Sequence, residues 1–164
     1  MAEGGKMAHI IPQNYNNVFI GRFFHSIDSK GRLSIPSQFR SILHQKYKTD
    51  KIIVTSLDKS LSAYPISEWF AIQNELQKLP KFDPKVRRFK LLFISGATEC
   101  SFDKQGRILI PPALREHAGL KKEVLIAGVI ERFEIWDKKR WEEEMKAIAG
   151  DFESITEKVG GLGI

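Results

Sequence analysis

A nine-residue stretch occurs twice in this chain, and this repeat strongly limits how the chain can fold. The first copy runs from Asp28 to Pro36 (DSKGRLSIP) and the second from Asp103 to Pro111 (DKQGRILIP), 75 positions later. At the same spacing the pair Phe39-Arg40 is matched by Leu114-Arg115, again an apolar residue followed by an arginine. A turn, a strand and the start of a helix therefore repeat together, which indicates a duplicated module.

Each copy predicts a hairpin with a polar tip, because short apolar segments lie on both sides of a loop that contains glycine. Gly31 supplies the positive φ that a tight connection needs. Asp28 and Arg32 flank the tip, so the carboxylate can accept hydrogen bonds from loop amides or from the guanidinium and thereby orient the arginine. The corresponding residues of the second copy are Asp103, Gly106 and Arg107.

The charge and the cysteine content indicate which kind of partner and which cell compartment suit this chain. The chain has 26 Lys and Arg against 20 Asp and Glu, a formal charge of +6, and a pI near 9.4. This balance favours a polyanionic partner, although by itself it is more typical of a solvated surface than of a nucleic-acid site. The single cysteine, Cys100, permits neither an intramolecular disulfide nor a cysteine zinc cluster and fits a reducing cytoplasm. Neither an apolar run of about 18 residues nor a secretory signal is visible.

Turn signals and periodicity divide the chain into five segments, with hairpin, helix, hairpin, helix in each module. They are a disordered leader or added extension (1–17), the first module (18–80), a linking helix (81–95), the second module (96–149) and a terminal helix or flexible tail (150–164). Ser37 is the expected cap of the first helix. The basic run at 81–90 predicts a solvated helix face, with DNA contact left open.

The later part of the module also repeats. Tyr64 and Trp69 recur as Trp136 and Trp141, an offset of 72 residues. These aromatic residues are expected in the core or at a subunit interface, although base stacking is conceivable. The helix that follows Asp137 is predicted to bury one side, which carries Trp141, Met145 and Ile148.

From Val18 to about Ala149 the chain resembles the MraZ family, bacterial regulators built from two tandem swapped-hairpin modules of the AbrB type. The signature is Asp-x-x-x-Arg within Asp-x-x-Gly-Arg-x-x-x-Pro, and both copies carry it intact. Phe19-Ile20-Gly21 also matches the start of this family. The resemblance implies an α+β, mainly β fold, in which two swapped-hairpin β-barrel modules pack as a pseudo-dimer with flanking helices.

The resemblance further implies a sequence-specific DNA-binding transcriptional regulator of the division and cell-wall gene cluster. Such a protein would bind short direct repeats of double-stranded DNA in its own promoter region, as a ring-shaped homo-oligomer, in the cytoplasm at the nucleoid. An arginine can donate bidentately to guanine or to phosphate, whereas the loop lysines suit phosphate positioning. The DNA-binding candidates are Arg32, Arg107, Lys30 and Lys104, the loop-orienting candidates are Asp28, Asp103, Gly31 and Gly106, and weaker candidates are Arg22, Arg40 and Arg115.

The alternatives to a DNA-binding regulator fall into two other functional classes. An oligomeric protein-interaction scaffold, or an antitoxin-like module, would leave the basic loops without specific DNA readout. An enzyme is not expected, because the sequence has no Gly-rich phosphate loop after a strand and no nucleophile elbow. The four histidines lack ligand spacing, so no metal is predicted. No cofactor and no small-molecule substrate are expected either.

Overall fold

The computed structural model describes residues 17–164; the predicted leader, 1–17, lies outside this range apart from Asn17. The described strands are β1 (Arg22–Ser26), β2 (Arg32–Ser34), β3 (Lys51–Leu57), β4 (Ser60–Pro65), β5 (Thr98–Ser101), β6 (Arg107–Leu109), β7 (Glu123–Gly128) and β8 (Phe133–Asp137). The described helices are α1 (Ser37–Gln45), α2 (Ile66–Gln77), α3 (Pro84–Phe93), α4 (Pro112–Ala118), α5 (Lys138–Gly150) and α6 (Phe152–Glu157), followed by a 3₁₀ turn (Gly160–Leu162). No helix within this range is long and apolar enough to cross a membrane.

The strands exchange partners between the two halves of the chain. A six-stranded antiparallel sheet has the order β1-β7-β8-β4-β3-β5, and β2 pairs with β6 in a two-stranded sheet. The first strand of each hairpin therefore joins the other half, and the second strands pair with each other. Antiparallel sheets with helices around them confirm the predicted α+β class.

The two-stranded sheet, which we call the ribbon, is attached to the core by its inner face. Side chains alternate between the two faces of a strand, and Leu33 and Ile108 point inward with 0% and 1% of their surface exposed. Ile35 and Ile110, at the ends of the two strands, are also buried. Burial of these four side chains holds the ribbon on the core and turns its other face outward.

Helix termini follow the local sequence in most places. Asp83 caps α3 by accepting a hydrogen bond from the amide of Lys85 at 2.8 Å, and Gly119 ends α4 with a φ of +60°. The prediction of Ser37 as the cap of α1 is wrong. Ser37 is the first helical residue, and Pro36 precedes it without a side-chain cap, because the proline ring already fixes the φ of the entering chain.

The inner side of α5 also differs from the prediction. Trp141, Met145 and Ile148 are only partly buried, and they line a groove instead of a closed core. Trp136 on β8 is buried beneath them, with 6% of its surface exposed. The helical period correctly placed the three side chains on one face, but that face has no complete cover within residues 17–164.

Candidate nucleic-acid interface

The first hairpin tip (residues 28–32) is organised by the carboxylate of Asp28. Its Oδ1 accepts hydrogen bonds from the backbone amides of Lys30 and Arg32, both at 2.9 Å, and its Oδ2 accepts one from Nε of Arg32 at 2.6 Å. The amide of Gly31 donates to the carbonyl of Asp28 at 3.0 Å, with Gly31 at a φ of +88°. One aspartate thus fixes both the loop and the arginine side chain.

The second tip (residues 103–107) repeats this geometry. Asp103 Oδ1 accepts from the amides of Gln105 and Arg107, both at 2.9 Å, and Oδ2 accepts from Nε of Arg107 at 2.8 Å. Gly106 has a φ of +75°. The two residues after each aspartate differ between the tips, so the shared conformation depends on the Asp, Gly and Arg of the motif.

The same hydrogen bonds keep both aspartates ionised. The amide of Arg32, followed by its guanidinium and the amide of Lys30, lowers the pKa of Asp28 to about 2. The equivalent groups lower the pKa of Asp103, because hydrogen bonds to a carboxylate favour its charged form. The ion pairs are partly exposed to solvent, so their main effect is to orient the arginines and not to stabilise the fold.

Each motif arginine keeps one edge of its guanidinium available. Only Nε is bonded to the aspartate, and within the described residues the terminal Nη atoms of Arg32 and Arg107 make no hydrogen bond. The two side chains are 37% and 26% exposed. A guanidinium that is fixed at Nε and free at its Nη end can donate two parallel hydrogen bonds to guanine or to a phosphate.

The pairing of the ribbon brings both arginines to one surface. Arg32 lies opposite Leu109, and Ser34 lies opposite Arg107. Directly opposed residues, and residues two apart on a strand, share a face. The outer face therefore carries both arginines as diagonal neighbours, roughly 7–8 Å apart at their Cα atoms, together with Leu109, which is 58% exposed.

Two further arginines connect each tip to the other copy of the motif. Arg40 Nε donates to the carbonyl of Ile35 at 3.1 Å, and Arg115 Nε donates to the carbonyl of Ile110 at 3.0 Å. Their guanidinium groups then cover the glycine of the opposite tip. A Cβ placed on Gly106 would lie 2.6 Å from Cζ of Arg40, and one on Gly31 would lie 2.9 Å from Cζ of Arg115.

Sequence reasoning ranked these two arginines low, and their role as tip supports was missed. The available signal was their recurrence at the same 75-residue offset as the motif itself. Arg22, the other weak candidate, lies away from the tips, with its guanidinium 5.0 Å from the ring centre of Trp141.

The remaining basic candidates divide by position. Lys30 and Lys104 are both exposed on the tips, beside the motif arginines. The basic run at 81–90 lies mostly on α3, which packs against β3. Among residues 17–164 no group of three or more His, Cys, Asp or Glu side chains could hold a metal ion.

Comparison with known proteins identifies the family. The family model described as "MraZ protein, putative antitoxin-like" matches residues 18–92 and again 93–159. "Transcriptional regulator MraZ" of Acetivibrio thermocellus is 47% identical over 147 residues, which is 90% of this chain and 100% of that protein. Proteins of the same name from Pelotomaculum thermopropionicum and Syntrophobacter fumaroxidans are 46% and 44% identical over 90% and 89% of this chain, and over 99% and 97% of their own lengths. The chain belongs to the MraZ family, whose named members are transcriptional regulators and not enzymes.

Proposed function

We propose that this protein is a sequence-specific DNA-binding transcriptional regulator that reads duplex DNA with the outer face of the ribbon and its two tips. The observation that carries the proposal is the arrangement of Arg32 and Arg107, which share one face and are held at Nε by an aspartate. Their Nη atoms make no hydrogen bond to any residue from 17 to 164. This is the geometry that bidentate recognition of guanine requires.

The dimensions of the ribbon suit the major groove of B-DNA, which admits a two-stranded β-ribbon. Arginines roughly 7–8 Å apart span about two base-pair steps of roughly 3.4 Å each. Leu109 lies on the same face and can contact a thymine methyl group. Lys30 and Lys104 then bind phosphates on either side and set the position of the ribbon on the duplex.

A single ribbon reads only a few base pairs, so selectivity for a promoter needs several ribbons acting together. We infer a ring-shaped homo-oligomer that binds short direct repeats in the region upstream of its own gene, within the division and cell-wall gene cluster, and so acts at the nucleoid. Tethered ribbons raise the effective concentration of each next binding event. Weak contacts by individual tips thereby become strong binding by the assembly.

The test is fluorescence anisotropy with a labelled duplex from the region upstream of this gene, against a scrambled duplex, at two salt concentrations. The variants are Arg32→Lys and Arg107→Lys, which keep the charge but lose the bidentate fork. Arg87→Lys is the matched control, because Arg87 is an exposed arginine on α3. Each bidentate contact contributes about 1–3 kcal/mol of base discrimination, so each Lys variant should lose at least about fivefold in preference for the promoter duplex.

The Arg87 control should keep the preference of the unmodified protein. Equal binding of promoter and scrambled DNA by the unmodified protein would contradict sequence-specific reading. Absence of DNA binding at low salt, together with a protein that co-purifies tightly, would instead favour an interaction scaffold or an antitoxin-like module.

A further inference from the structure

The two halves of the chain carry equivalent aromatic pairs, but within the part of the chain that the structure describes only the first pair is covered by a further helix. In the first half Tyr64 and Trp69 pack under Phe93 of α3, which is 2% exposed, and the Trp69 and Phe93 rings stack with centroids 5.0 Å apart. The equivalent pair in the second half is Trp136 and Trp141. Among residues 17–164 the only aromatic ring packed on Trp141 is that of Trp136.

The place that α3 takes in the first half is a groove in the second. The groove has a volume of about 420 Å³, and its apolar lining includes Trp136, Trp141, Met145 and Ile148. An aromatic side chain from another helix would bury these surfaces, as Phe93 buries Trp69 in the first half. The groove is therefore shaped for a helix face like that of α3.

The rim of the groove is mostly acidic. Asp58, Glu134 and Glu144 line it, together with the guanidinium of Arg22. Glu134 is already paired with Arg132 at 2.7 Å. Oε2 of Glu144 is buried and accepts no hydrogen bond within the described residues, and its nearest cation, Nζ of Lys59, is 3.7 Å away. Glu144 thus already has a cationic partner. Asp58 is exposed and makes no ion pair within the described residues, so a basic side chain of another subunit can pair with it at the groove.

A matching surface lies on the outer side of α3 in the first half. We call it the basic stripe, and it consists of Phe82, Lys85, Arg88, Phe89 and Leu92. The last four residues share one helical face at spacings of three and four. Phe82 is 97% exposed, Phe89 37% and Leu92 42%, and both basic residues are also exposed. The stripe thus combines apolar side chains with positive charge, the complement of the groove.

We propose that the basic stripe of one subunit docks in the groove of the next subunit, an assignment that rests on the homo-oligomer proposed above. The stripe lies on the helix that packs on β3, beside edge strand β5, and the groove lies over β7 and β8, beside edge strand β1. The two surfaces are therefore near opposite ends of the six-stranded sheet. Contacts between unlike surfaces join subunits head to tail, and they close into a ring when the rotation allows.

The test changes each surface in the full-length protein and measures the mass by light scattering at one subunit concentration. Phe82→Glu with Arg88→Glu makes the stripe acidic, and Met145→Arg places a positive charge in the groove. The matched controls are Arg87→Glu on another side of α3 and Ala147→Arg on α5, since both positions are exposed and neither belongs to the stripe or the groove lining.

The stripe variant and the groove variant should each fall toward the 18.8 kDa of one subunit, and both controls should keep the mass of the unmodified protein. A mixture of the two interface variants should rise toward twice the mass of one subunit and no further, because one variant retains only its groove and the other only its stripe, so they can form a one-to-one dimer. Thermal melting of each variant checks that it is folded.

The two proposals fail in different ways. If the unmodified protein is a monomer, the proposed ring and this docking assignment are both wrong. If it is an oligomer whose mass neither interface variant changes, only the docking assignment is wrong, and a different occupant fills the groove. A dissociated variant that still prefers promoter DNA, with lower affinity, would keep the DNA-reading proposal and support docking as the source of avidity.

Discussion

Replacement of Gly31 by alanine should destabilise the ribbon. Gly31 has a φ of +88°, and a Cβ there would lie 2.9 Å from the carbonyl oxygen of Ile110. Left-handed backbone costs a residue with a side chain roughly 1–2 kcal/mol. Relief of the clash must move the carbonyl or the tip, which weakens the adjacent hydrogen bond from the Ile110 amide to the Gly31 carbonyl, now 2.9 Å long. With roughly 1 kcal/mol for that bond, the loss should be about 2–3 kcal/mol.

This loss can be measured as a change in melting temperature. Unfolding entropy is roughly 2.1 cal/mol/K per residue, so in a chain of 164 residues each kcal/mol should shift the Tm by about 3 °C. Scanning calorimetry at one subunit concentration should therefore show a fall of about 6–9 °C for Gly31→Ala. Gly150→Ala is the control, because no atom lies within 4 Å of a Cβ there and alanine favours the helix end.

Two more substitutions separate backbone strain from the close contact. In Gly31→Asn the asparagine tolerates a positive φ better than alanine does, but its Cβ meets the same atoms. This variant should therefore recover only the part of the lost unfolding free energy that comes from backbone strain. At Gly106 the atoms nearest to an added Cβ belong to the Arg40 side chain, which can move, so Gly106→Ala should cost less than Gly31→Ala. A Tm for Gly31→Ala within 2 °C of the unmodified protein would refute this account of the contact between the tip and the ribbon.

Two other predictions concern the tips. NMR titration followed at the carboxyl carbon of Asp28 should give a pKa near 2, below the unfolded value of about 3.9. The ionised carboxylate stabilises the fold at a pH above about 3.9, and this contribution is lost as the pH falls toward 2. A midpoint near 4 would contradict the observed hydrogen bonds. Arg40→Ala should speed hydrogen exchange at the Gly106 amide, and Arg115→Ala should do so at the Gly31 amide, because each arginine covers the glycine of the other tip. Faster exchange only at the tip of the same copy would contradict this contact between the two copies.

The tips were the most predictable part of the structure because their geometry is local. The spacing from Asp28 to Arg32 is enough to let one carboxylate reach two amides and a guanidinium within the same turn. The cap at Asp83 was equally predictable from the sequence, since capping depends on residues two or three positions away. The cap of α1 was misjudged by one residue, because Pro36 alone can set the entering backbone.

Strand partners were less predictable. The residues around each tip predict a hairpin whether its second strand pairs with the first or with a strand 75 residues away, since both pairings bury the same side chains. Only the family resemblance indicated the exchange, and the opposition of Arg32 to Leu109 is a long-range fact that no local pattern contains. The groove was missed for a related reason, because helical spacing shows which side chains of α5 share a face but not what covers that face.

The exchange of strands has a consequence for the kind of DNA site that the protein can read. The ribbon is only approximately two-fold symmetric, because Arg32 faces Leu109 whereas Arg107 faces Ser34, and the two tips carry their lysines at different places. Subunits joined head to tail, groove to stripe, would present this asymmetric ribbon in the same sense at every position. A two-fold contact between identical surfaces would reverse it in alternate subunits and require inverted half-sites. Head-to-tail docking and recognition of direct repeats are therefore linked, and an operator built from inverted repeats would be evidence against both.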